Sequence, residues 1–150
     1  MVIKMKPDYK ELSPQELLDL LFRFKKEPSR ENATKIGIAI AASSDPTRIK
    51  KRLFTQAFDA VDEGEPADSI LNAWAVAAML EDDLPVPQKV MAVRGMRGDT
   101  SLDTGFLEEW VRFVWTRKKA PLDILDFIAI DFRNDPRIST PEIKALLFKE

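Results

Sequence analysis

The sequence contains no cysteine and no histidine, and these two absences close more chemistry than any motif in it opens. Without thiols there is no disulfide framework, no thiolate nucleophile, no iron–sulfur cluster and no cysteine-ligated zinc. Without imidazole, the Ser-His-Asp and Cys-His arrangements are closed, as are nearly all catalytic zinc sites. What is left for catalysis is carboxylates, lysines, hydroxyls and one tyrosine, Tyr9. No Gly-rich phosphate loop or dinucleotide motif occurs, so no cofactor and no metal are expected. Long apolar runs are missing too. The nearest, Ile70 to Leu80, is interrupted by Asn72 and reaches only about half the length that spans a bilayer. The stretch before Ser13 alternates apolar with charged residues and has no apolar h-region. The expectation is an intracellular, cytoplasmic protein with no membrane role, in which residues 1–11 pack loosely.

What is there is 150 residues, 45% apolar and 32% charged, enough for one domain over 1–150 and too little for two. The net charge of −2 argues against a dedicated nucleic-acid binder. It hides a segregation: residues 1–52 are net basic, 53–109 strongly acidic and 110–150 slightly basic. Such a layout favours self-complementary docking or a charged partner.

Prolines and small polar residues mark a series of helix starts. Ser13-Pro14-Gln15-Glu16 combines a cap, a first-turn proline and the Glu of a capping box directly before Leu17, Leu18, Leu20, Leu21, Phe22 and Phe24. Pro28 stops that helix, and Ser29 opens a second segment through about Ala42, where alternating Ile36, Ile38 and Ile40 fit a strand as well as a helix. Asp45-Pro46 starts a helix with Ile49, Leu53, Ala57, Phe58 and Val61 on one stripe, ended by Gly64. The segment from Pro66 to Glu81 is apolar nearly all round and reads as a buried central helix. Helices are further expected over 86–94, ending in a Gly95 to Asp99 turn, and over 104–118, 121–132 and 141–148. Seven or eight helices without a hairpin of strands predict an all-α fold, either a compact bundle or a short solenoid of αα repeats.

A shift of 36 residues aligns Asp68-Ser69-Ile70-Leu71-Asn72-Ala73-Trp74 with Thr104-Gly105-Phe106-Leu107-Glu108-Glu109-Trp110, and Met96-Arg97-Gly98-Asp99 with Phe132-Arg133-Asn134-Asp135. This defines candidate helix-pair units at 67–102 and 103–138, the periodicity that stacked pairs produce because neither buries its apolar face alone. Two amphipathic pairs of similar length give the same few identities by coincidence, which keeps the irregular bundle in play. The same register sets Glu81, Asp82 and Asp83 over Arg117, Lys118 and Lys119. Acidic residues at a helix C-terminus call for a basic partner, so the two triplets are expected to face each other.

Few residues stand out as sites. The basic cluster Arg48, Lys50, Lys51 and Arg52 sits in the first turns of a helix, where positive charge opposes the dipole; it reads as an anion- or partner-binding face or as a solvated one. Trp74 and Trp110 share one repeat position and core spacing, whereas Trp115 lies off the stripe and is a candidate anchor for a partner. Glu81-Asp82-Asp83 lacks the alternation of a calcium loop. The Arg97-Gly98-Asp99 tripeptide reads as a helix-linking turn. The leading expectation is therefore a non-enzymatic helical module that binds another protein or itself, an adaptor, assembly factor or chaperone-like protein, with Trp115, Arg48, Lys51, Arg52, Arg117, Lys118 and Lys119 as candidate partner-binding residues. The alternative is a small nucleic-acid-associated coat or regulatory protein that holds phosphate backbone through the basic helix faces.

Overall fold

Ser13 caps the first helix as its local sequence dictates: its Oγ accepts from the Glu16 amide at 3.2 Å while its own amide donates to Glu16 Oε1 at 3.1 Å. The computed structural model describes Tyr9, residues 11–117 and residues 119–148, and these form eight helices and no strand. They are α1 (Pro14–Lys26), α2 (Arg30–Ala42), α3 (Thr47–Phe58), α4 (Pro66–Met79), α5 (Val86–Arg97), α6 (Thr104–Arg117), α7 (Leu122–Phe132) and α8 (Pro141–Phe148). The fold is all-α. Residues 1–8, part of the 1–11 segment expected to pack loosely, lie outside the described residues.

The chain falls into two compact units divided at Asp82/Asp83, a boundary inside the first of the candidate 36-residue units. In the unit from Tyr9 to Asp82, α2 packs most extensively on α4, α1 lies on α2, and α3 lies on α4. The alternating isoleucines of α2 resolve as helix because Ile36 and Ile40, one turn apart, are both fully buried and share their face with Ala33 and Gly37. A close approach underlies the α2–α4 contact. A Cβ added at Gly37 would stand 2.6 Å from Cδ1 and 2.9 Å from Cβ of Trp74. Leu17, Leu21 and Phe24 of α1 and Phe54 of α3 complete this core.

In the unit from Asp83 onward, α5 packs on α7, and α8 packs on both α6 and α7. Trp110 of α6 stacks on Phe132 of α7, ring centroids 5.8 Å apart, amid Leu107, Phe113, Ile124, Ile128 and Leu147, all fully buried. Arg94 lies over Phe127 and Arg97 pairs with Asp131, so α5 and α7 run side by side in the same direction.

Two helix ends differ from the sequence expectation. α3 closes at Phe58, because Ala60 and Val61 donate to the carbonyls of Ala57 and Phe58 in tighter turns; Gly64 sits beyond them at φ +85°, in the following link. α5 continues through Gly95 to Arg97, and the turn begins at Gly98. No helix among the described residues is long and apolar enough to cross a membrane.

Candidate functional site

The two buried carboxylates in the unit from Asp83 onward, Glu108 and Asp135, and the half-buried Arg137 form hydrogen bonds close to helix ends. Arg137 is held in a fork by Asp135, Nε to Oδ1 at 3.0 Å and Nη2 to Oδ2 at 2.8 Å. Its remaining donors reach the carbonyls of Arg97, Asp99 (2.9 Å) and Leu102 (3.1 Å), just past the C-terminus of α5. That geometry satisfies carbonyls a helix end leaves open and puts a cation at the negative end of the dipole. The Arg137 hydrogen bonds hold the Asp135 carboxyl below its ordinary pKa against the opposing effect of burial, with Arg97 adding to the pull. Arg97 in turn pairs with Asp131 at 2.6 Å, so the Arg97-Gly98-Asp99 turn is structural.

Glu108 of α6 does the corresponding work for α8. Its carboxylate accepts from the amides of Ser139 (3.0 Å) and Thr140 (2.7 Å) and from the Thr140 hydroxyl (2.6 Å). Burial disfavours its charge, but those three donors and the nearby Arg112 outweigh burial and lower its pKa. A carboxylate with this many donors is stabilised as the anion, as a helix cap requires.

In the unit from Tyr9 to Asp82, the basic cluster of α3 splits. Lys50 turns inward: its side chain is 6% exposed, Nζ donates to the Ala41 carbonyl at 3.1 Å and lies 3.5 Å from Glu81 Oε1. It thereby caps the last turn of α2 and ties it to the end of α4. Arg48, Lys51 and Arg52, at i, i+3 and i+4, remain together on the outer face of α3 and are exposed. Glu81, whose triplet is expected to face residues 117–119, lies 3.5 Å from Lys50, a neighbour the sequence did not suggest. Arg117 stacks its guanidinium over Phe113 at 5.4 Å, Lys119 is exposed, and Lys118 lies outside the described residues. The two basic clusters belong to different units. Trp74 and Trp110 are fully buried, while Trp115 is half-buried on α6.

Two outward faces that the sequence reading did not single out each carry two large exposed apolar side chains. On α1, Leu18 and Phe22 (68% exposed) form a stripe with Lys26 at four-residue spacing, with Lys25 beside it. On α7, Leu122 (78% exposed), Asp126 and Ile130 (66%) form a second stripe of the same spacing, with Asp123 beside it. Met91, 74% exposed, stands on the outer face of the neighbouring α5, three residues before the Arg94 that covers Phe127. The signal was present in the apolar excess of α1: six apolar positions in eight residues exceed one buried stripe, and the Leu17–Leu21–Phe24 row excludes Leu18 and Phe22.

Among the described residues no group of His, Cys, Asp or Glu side chains could hold a metal ion. No protein-family model, no curated protein and no solved structure matches this chain.

Proposed function

We propose that this chain is a non-enzymatic helical module that works by binding another protein chain, as an adaptor or assembly factor does. The observation that carries the reading is the set of large apolar side chains held outward on ordered helices, Leu18 and Phe22 on α1 and Met91, Leu122 and Ile130 on α5 and α7. Large apolar groups flanked by charges are the usual composition of a docking surface. A second support comes from the interior, where Glu108, Arg137 and Lys50 bond helix-end backbone groups and Asp135 holds Arg137 in place. A photo-crosslinking amino acid at position 91, with position 63 as an exposed polar control, tests the reading in cells that make the protein. Defined protein adducts at 91 and not at 63 support it; equal and diffuse labelling at both overturns it.

The second reading, a nucleic-acid-associated protein, rests on one observation: Arg48, Lys51 and Arg52 share an exposed face of α3, undivided because Lys50 is turned away. Retention on heparin with a steep salt dependence, lost in R48E/K51E/R52E, is its expected signature. Flow-through at low salt removes it.

A further inference from the structure

The outward stripes of α1 and α7 resemble each other in spacing and oppose each other in charge. Each is a row of three residues at four-residue spacing: Leu18, Phe22 and Lys26 on α1, and Leu122, Asp126 and Ile130 on α7. Each has two apolar members and further charges beside it, Lys25 and Asp19 on the first and Asp123 on the second, which leaves the first net basic and the second acidic. Rows at this spacing are the ridges that interdigitate in the commonest class of helix–helix packing. Sliding one row along the other by a single turn sets Lys26 opposite Asp126 while Phe22 meets Leu122 or Ile130.

Resting on the reading of the chain as a protein-binding module, we infer that the partner of the α7 face is a second copy of this chain, which docks its own α1 face there. Charge complementarity selects this occupant. Two α7 faces would set Asp123 and Asp126 against their own kind, and two α1 faces would do the same with Lys25 and Lys26, so a two-fold contact of like faces is disfavoured. A contact between unlike faces closes into a two-fold dimer where each copy's α1 face meets the other's α7 face reciprocally, and otherwise propagates into rings or open chains. In either form association increases with concentration and uses one intact face of each kind per contact.

The test is sedimentation velocity on the whole chain across a wide concentration range, with variants at exposed positions chosen to leave the core untouched. F22S disables the α1 face; D126K/I130S disables the α7 face. The native chain is expected to gain mass with concentration, and each variant alone to stay monomeric with unchanged helicity and Tm. The equimolar mixture of the two variants is expected to form a one-to-one heterodimer and nothing larger, because only one intact face of each kind remains. The charge exchange K26E/D126K restores growth that either single exchange abolishes. A native chain that stays monomeric at every concentration, variants that associate like the native chain, or a mixture without heterodimer each overturns the inference. A monomeric native chain that still gives defined adducts to other proteins from position 91 overturns only this inference and leaves the protein-binding reading standing.

Discussion

Gly37 and Lys50 each make one close contact that fixes how their helices meet. At Gly37 the contact is steric: three Trp74 atoms, including its Cβ, lie 2.6–2.9 Å from where a methyl group would stand. A side-chain rotation of Trp74 cannot move its own Cβ, so the backbones of α2 and α4 must separate. Gly37→Ala is expected to cost about 1–3 kcal/mol despite the better helix propensity of alanine, and urea unfolding checks it. At Lys50 the contact is electrostatic, a buried ammonium between the Ala41 carbonyl and Glu81. Lys50→Met keeps the methylenes and removes the buried charge that faces Glu81, at a cost of about 3–5 kcal/mol. The double variant K50M/E81L should recover part of that loss; a single variant as stable as the native chain would show that the pair is not buried in solution.

At the scale of the element, starts were legible and so were most ends, Ala42, Phe132 and Phe148 among them, whereas the ends of α3 and α5 were not. Ser13, Pro14, Pro66 and Pro141 mark helix starts within one residue because caps and first-turn prolines act on their own neighbours. Where α3 stops, or that α5 runs through Gly95, depends on what the turn packs against, which no local pattern reports. The same holds for the candidate site. That Lys50 leaves the Arg48–Arg52 cluster is set by the end of α2 and by Glu81, and that Glu108 is buried is set by Thr140, which lies 32 residues away. The unused apolar faces were partly legible in α1, from its surplus of apolar positions. Glu108 also gives the element-scale prediction. Glu108→Ala removes three hydrogen bonds from the start of α8, and it is expected to lower stability by about 2–3 kcal/mol. The loss should appear first as faster amide exchange over 141–148, with α1 and α2 unaffected.

For the molecule as a whole, the missing histidine returns as a statement about pH. No side chain has an ordinary pKa between about 5 and 8, so stability is expected to be level across that range. Glu108 and Asp135 are held below their ordinary values in the folded chain. The unfolded chain therefore takes up protons first as pH falls, and the stabilisation from these two groups, complete above about pH 5, is lost progressively below it as the pH approaches their folded values. Both lie in the unit from Asp83 onward, so in acid the amides of α6 and α8 are expected to lose protection before those of α2 and α4. Hydrogen exchange near pH 3 decides this, and simultaneous loss across all eight helices would contradict it.

The cap that Glu108 supplies also orders events in time. Its amide donors follow it by 31 and 32 residues, so during synthesis the carboxylate leaves the ribosome before the groups that will surround it exist outside. Lys50 meets Glu81 within the stretch made earlier. A nascent chain that has not yet delivered Thr140 thus holds the whole stretch from Tyr9 to Asp82 together with a second unit whose Glu108 still lacks the donors that cap α8.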